Sequence, residues 1–209
     1  MNNHYVINLG RQLGSGGKEI GERLAKELGI AFYDKELIRL ASEESGLCKE
    51  FFEKADERTQ KTFIGALFGN RVPFVGDGAI PYGSCLNNDA LFKIQSDVIR
   101  ELAENGSCLF VGRCADYILR DHPNCVNVFI SASKEARIER IMKKNNLNST
   151  QAEELIEKAD RKRAAYYNYY SYNTWGAAAT YHLSIDSSVL GIDGTVAFIK
   201  DFVKKKLGI

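Results

Sequence analysis

The stretch that most constrains this chain begins at Val6-Ile7-Asn8-Leu9-Gly10-Arg11 and continues through Gln12-Leu13-Gly14-Ser15-Gly16-Gly17-Lys18-Glu19-Ile20-Gly21. The apolar run reads as a strand. Four glycines and a serine within the eight residues from Gly14 to Gly21 then make a turn. Ile20, Leu24 and Leu28 follow at helical spacing. Strand, glycine turn and helix in that order form an anion cradle. Glycines let successive backbone N–H groups converge on a phosphate, and the helix N-terminus adds the positive end of its dipole.

The spacing departs from the G-x-x-x-x-G-K-[ST] pattern of phosphate-binding loops. With Gly17-Lys18 as the Gly-Lys pair, Gln12 stands at the first glycine and Glu19 at the Ser/Thr. With Gly14-x-Gly16 aligned to the usual Gly-x-Gly, Gly17 falls at the lysine. The second register is preferred, and either one breaks the pattern in at least two places.

At 209 residues the chain is expected to be one domain, with a real core and space for a lid or insertion. Its hydrophobic fraction of 44% argues against disorder. A net charge of +1 gives no overall attraction to nucleic-acid polymers or acidic membranes, so any basic site is local. No apolar run approaches the ~20 residues of a membrane span. Met1-Asn2-Asn3-His4 has no signal-peptide pattern, and the five scattered cysteines lack paired metal-ligand spacing. The expectation is a reduced, cytoplasmic protein with no bound structural metal.

Along the chain, Ile30-Ala31-Phe32-Tyr33 predicts a second strand ending at Asp34. A helix follows, with its stripe at Leu37, Ile38, Leu40 and Ala41. Lys49 to Leu67 has helical composition, while glycines and prolines from Gly69 to Gly83 punctuate a loop. Asp89 to Glu104 reads as a helix closed by Gly106. Cys108-Leu109-Phe110-Val111-Gly112 reads as a strand buried on both faces, leading into Arg113 and a short helix. Cys125 to Ile130 is a strand, followed by a helix capped by Ser131 or Ser133 that carries Arg137 and Arg140. A long helix starts at Ser149 with the look of a capping box. Tyr181 to Asp186 alternates like a strand, and a last helix fills Asp193 to Lys206. Five strands separated by helical segments imply a parallel sheet with helices on both faces.

Several pieces then line up collinearly. They are Arg11-Gln12-x-Gly14-Ser15-Gly16-Gly17-Lys18-Glu19-Ile20-Gly21, Phe32-Tyr33-Asp34-Lys35-Glu36-Leu37-Ile38, Val111-Gly112-Arg113-Cys114-Ala115-Asp116-Tyr117 and Tyr166-Tyr167-Asn168-Tyr169-Tyr170. Trp175-Gly176 and the tail Ile185-Asp186-Ser187-Ser188-Val189-Leu190-Gly191-Ile192 complete the set. Together they resemble the cytidylate-kinase-like family, within the P-loop nucleoside-monophosphate kinase superfamily. The resemblance covers most of the chain outside Ser45 to about Asn88. It departs at Gly17 and Glu19, where classical members have Lys and Thr or Ser, and at Cys114, where they have Asp.

The resemblance implies a three-layer P-loop kinase fold with a parallel five-stranded sheet. It also implies ATP and Mg²⁺ as cofactors, and a nucleotide such as CMP or another small molecule as acceptor. Residues 45–88 would be a variable acceptor-binding insertion, and 149–176 the lid. Oligomeric state, including a homo-oligomer, is left open. The rival reading is a nucleotide-binding pseudokinase or sensor without turnover.

Phosphoryl transfer asks for in-line positioning and positive charge on the oxygens. Gly14, Ser15, Gly16 and Gly17 would wrap the β-phosphate. Lys18 either reaches round to do the missing lysine's work or is a solvated first-turn residue. Glu19 holds the metal through water or favours the helix N-terminus. Arg11 stands by the loop, near the acceptor phosphate. Arg113 ends a buried strand, so its charge emerges where ligands of such sheets bind. Asp34 orients the acceptor, holds Mg²⁺ through water, or caps a helix. Arg39 resembles an arginine used on the acceptor phosphate. Asp160-Arg161-Lys162-Arg163 falls at the family's lid, which makes Arg161 and Arg163 candidates for the transferring phosphoryl group. The tyrosines and Trp175 stack a base or pack a helix face.

Overall fold

In the computed structural model, described at residues 4–38 and 85–209, strand β1 (Val6–Arg11) runs down the middle of a five-stranded sheet. Its neighbours are β3 (Cys108–Val111) and β4 (Cys125–Ser131). The strands β2 (Ala31–Tyr33) and β5 (Leu183–Asp186) form the two edges, giving the order β2-β3-β1-β4-β5. Every pairing is parallel, with Leu9 opposite both Val111 and Val128. All five carboxyl ends therefore lie along one edge. The expected sheet is present, and its central strand leads directly into the glycine loop.

The apolar runs fold this way because β1, β3 and most of β4 are covered on both faces. Helix α1 (Gly17–Leu28) lays Ile20 and Leu24 on one face, beside Val196, Ile199 and Val203 of α6 (Ser187–Leu207). Gly21 lets α1 approach the sheet closely: a Cβ there would stand 3.0 Å from Leu9 Cδ1. Gly29, in the left-handed region, closes α1 by donating its N–H to the Ala25 and Lys26 carbonyls.

Helix α2 (Cys85–Asn105) begins before the expected Asp89, and α3 (Ala115–Ile118) is one short turn. Ser133, not Ser131, caps α4 (Lys134–Asn145) by accepting from the Ala136 N–H at 3.2 Å. The capping box of α5 (Ser149–Ser171) starts one residue before Ser149. Asn148 accepts from the Gln151 amide, and the Gln151 side chain accepts from the Asn148 amide. The run α6 is two helical pieces joined at a kink: a short piece from Ser187 precedes the non-helical Gly191 (φ 67°), and the expected helix over Asp193–Lys206 follows it.

The chain divides into two compact units. One comprises Met1–Lys35 with Ile99–Ile209 and contains the whole sheet; the other is Glu36–Val98. Arg39, the expected helix over Lys49–Leu67 and the stretch 45–84 of the expected insertion lie outside the described residues.

Candidate active site

The loop is tied to its surroundings by a series of hydrogen bonds. The Gln12 N–H donates to the Ile130 carbonyl at 3.1 Å, and its side-chain oxygen accepts from Ala132 at 3.3 Å. Leu13 packs into the α4–α5 cluster of Ile141, Ala152 and Ile156. The Leu13 N–H donates to Asp160 at 2.8 Å, while its carbonyl accepts from Arg137 Nε at 2.7 Å. Arg137 and Asp160 are themselves paired, both nearly buried. Arg140 donates to the Gly14 carbonyl, and Ser187 Oγ donates to the Ser15 carbonyl at 2.6 Å.

At the head of α1 the loop offers backbone. Gly16, at φ 77°, caps α1 with no side-chain hydrogen bond, and Glu19 is the only acid in the first turn. The first-turn amides thus have neither an intrahelical acceptor nor a capping oxygen. That arrangement matches the requirement of an anionic phosphate.

The basic residues around the loop come from different elements. Lys18 reaches the carboxylate of Asp34, just past β2, with Nζ 2.6 Å from Oδ2, and lies 3.8 Å from Glu22. The hydrogen bond to Asp34 is the main cause of a Lys18 pKa held above the ordinary lysine value. Arg163 Nη1 donates to the Arg11 carbonyl at 3.2 Å and stands 3.6 Å from Asp160.

Arg113 follows β3 in an unusual backbone. Gly112, Arg113 and Cys114 have φ of 78°, 59° and 56°, three successive left-handed residues. For the two non-glycines this costs about 1–2 kcal/mol each, a strain that such sites concentrate. The Arg113 guanidinium carbon lies 5.6 Å from the centre of the Tyr166 ring.

The structure therefore brings Arg11, Lys18, Asp34, Arg113 and Arg163 to the carboxyl edge of one unit. Two candidates point elsewhere. Glu19 pairs with Arg23 at 2.6 Å on the exposed side of α1, and Arg161 pairs with Glu157 at 3.3 Å on an exposed face of α5. The aromatic run divides by role. Tyr167 is buried and donates to Asp116 at 2.5 Å, Trp175 packs edge-on to Phe129, and Tyr169 is exposed. Burial pushes the Asp116 carboxyl up, and it pushes the Cys114 thiol up to about 12, which makes Cys114 an inert core residue. Sequence reasoning did not single out Arg137 and Arg140 as site residues. Their spacing of three on one helix face was the available signal.

A family model described as the cytidylate kinase-like family matches residues 6–189. The chain belongs to the cytidylate kinase-like family. A solved structure similar to it is an uncharacterized protein from Eubacterium ventriosum ATCC 27560, with 25% identity, 96% of this chain and 99% of the other covered, and a TM-score of 0.71. Shikimate kinase from Bacteroides thetaiotaomicron is similar in fold, at 13% identity, 96% and 98% coverage and a TM-score of 0.52. Shikimate kinase from Acinetobacter baumannii, solved in complex with shikimate, aligns at 14% identity, 97% and 94% coverage and a TM-score of 0.50. A search of curated proteins gave no match. Membership of this family and the P-loop kinase fold support a nucleotide-kinase-like function, in a family of kinases that generally use ATP and Mg²⁺.

The residues present fit those cofactors. The open first-turn amides suit a phosphate chain. Among the described residues no three His, Cys, Asp or Glu side chains cluster to hold a metal by themselves. Mg²⁺ asks for less than that, because one carboxylate, phosphate oxygens and water complete its shell. No described helix is long and apolar enough to cross a membrane.

Proposed function

We propose that this protein is a cytoplasmic ATP-dependent phosphotransferase acting on a nucleoside monophosphate such as CMP, or on another small acceptor. The observation that carries the reading is the uncapped head of α1 after the glycine loop. It lies with Arg11 and Arg113 at the edge where the parallel strands end. When bound, ATP with Mg²⁺ supplies a phosphoryl group whose bond to the ADP oxygen breaks as an acceptor oxygen bonds to it.

The chain's own residues do the holding. Gly14, Ser15, Gly16 and Gly17 wrap the phosphate chain, and the amide of Glu19 extends the first-turn set. Lys18 and Asp34 act as one unit: the ammonium fixes the carboxylate, which orients the acceptor or holds a metal-bound water. Arg113 and Arg163 supply charge to the oxygens of the acceptor and of the group in transit. Residues 45–88, with Arg39 before them, bind the acceptor, and 149–176 form the lid of a single kinase-like domain.

The test is an acceptor screen with ATP and Mg²⁺, following ADP release across nucleoside monophosphates and small alcohols. One acceptor class stimulating ADP formation is the expected result. ATP binding without acceptor-stimulated ADP would make this a nucleotide-binding protein without turnover.

A further inference from the structure

Three observations on Arg11 go beyond the role expected from its sequence position. The first concerns Gly17, which stands at the lysine of the standard loop in the preferred register and is the first residue of α1. A Cβ on Gly17 would sit 2.6 Å from Arg11 Cβ and 3.0 Å from Arg11 Cγ. The stem of Arg11 therefore fills the space that a side chain from position 17 would occupy. Because the obstacle is the root of the side chain, it cannot swing aside.

The second concerns the far end. A Cβ on Gly112 would meet Arg11 Nη1 at 2.1 Å and Cζ at 3.1 Å. The guanidinium thus lies against the backbone just before Arg113, in space that exists because residue 112 has no side chain. The third concerns Lys18, whose ammonium is drawn to Asp34 at 2.6 Å rather than back over the loop. Asp34 is the main cause of the raised Lys18 pKa, and the Arg11 charge opposes it.

We infer that Arg11, passing between Gly17 and Gly112, carries the positive charge that a lysine of the loop supplies in the standard pattern, and that it meets the γ-phosphoryl group of ATP. The inference rests on the phosphotransferase reading and assigns Arg11 to the donor rather than to the acceptor phosphate. Its stem starts at the first turn of α1, and its charge ends one side-chain length away, toward β3 and Arg113. A group held there lies past the loop's own amides, on the side from which an acceptor near Asp34 and Arg113 approaches. The planar guanidinium presents paired donors to two phosphate oxygens and stays charged at any working pH. Arg163, by donating to the Arg11 carbonyl, fixes the root of the side chain.

The experiment is calorimetric titration of the full chain with Mg²⁺–ATP and Mg²⁺–ADP, without acceptor. Arg11→Met keeps the stem between the two glycines and removes only the charge. It should weaken ATP binding roughly tenfold or more, the usual consequence of losing hydrogen bonds to a charged group, and weaken ADP binding much less. Lys18→Met should weaken ATP less than Arg11→Met does. Arg11→Lys, which keeps a charge on a similar stem, should recover part of the ATP preference and guards against a fold defect in the Met variant. Wild-type ATP affinity in Arg11→Met, an equal loss for ATP and ADP, or a larger loss in Lys18→Met would overturn the assignment while leaving the phosphotransferase reading standing. Failure of the wild-type chain to bind either nucleotide would remove both.

Discussion

Gly14 and Gly16 both adopt left-handed backbone, at φ 80° and 77°, yet they do so against different neighbours. A Cβ on Gly14 would meet the Arg137 carbonyl oxygen at 2.9 Å, a backbone atom inside α4. A Cβ on Gly16 would meet Ile192 Cδ1 at 2.4 Å, the movable end of a side chain. Alanine costs about 1–2 kcal/mol in either place from the backbone alone. Gly14→Ala should therefore destabilise the fold more than Gly16→Ala, measured by urea unfolding. The opposite order would mean that α4 does not press on the loop as described.

Asp116 gives a pH-dependent test. Its carboxyl is raised above the ordinary value, chiefly by burial, while the hydrogen bond from Tyr167 opposes the rise. As pH climbs past the unfolded carboxylate pKa, the unfolded chain ionises first, so the native state loses stability until the raised pKa is passed. Asp116→Asn still accepts from Tyr167 and has no charge to bury. Its stability advantage over wild type should grow from about pH 3 upward and then level off. A pH-independent difference would contradict a raised native pKa. The glycine turn was legible in the sequence because φ above zero selects glycine. The Lys18–Asp34 pair and the buried Asp116 were not, because each depends on which strand lies beside which.

The α4–α5 hairpin acts on the loop as a clamp. Leu13 has its side chain in the hairpin's apolar cluster, while its N–H and carbonyl go to Asp160 and Arg137. The sequence marked 160–163 as a charge run at the lid, and a charge run is read by default as a solvated face. Neighbouring positions of that run separate in space. Asp160 turns inward, whereas Arg161 faces solvent beside Glu157. Helical spacing alone does not say which face meets the loop.

Removing one partner of a nearly buried pair leaves the other charge uncompensated. Asp160→Ala should cost about 3 kcal/mol, and adding Arg137→Met should restore part of that loss. A double-mutant cycle by chemical denaturation measures the coupling directly. Additive losses would show that the two side chains act on the loop independently. Elsewhere in the elements the misreadings are local. The capping box lies one residue earlier than Ser149, and a short helical piece from Ser187 precedes the kink at Gly191.

Across the whole molecule, parallel pairing fixes the location of chemistry. Five strands ending along one edge bring together Arg11, Asp34 and Arg113, residues far apart in the sequence and joined here by topology. The sheet order was open to sequence only as far as the alternation of strands and helices allowed. That β1 would be central, with the glycine loop in the middle of the edge, depends on the crossover connections. A net charge of +1 hides this edge entirely, since the cations gathered there are balanced by acids elsewhere.

The most direct measurement is ³¹P NMR of the purified chain with Mg²⁺–ATP and CMP. A competent site should transfer the γ-phosphoryl group, so the ATP γ signal falls while the two signals of a new nucleoside diphosphate rise in step. If CMP is not the acceptor, the acceptor class found in the ADP screen should give the same loss of ATP γ signal and one new phosphoryl product. An ATP γ signal that persists undiminished across those acceptors, with ATP bound throughout, would contradict phosphoryl transfer at this loop.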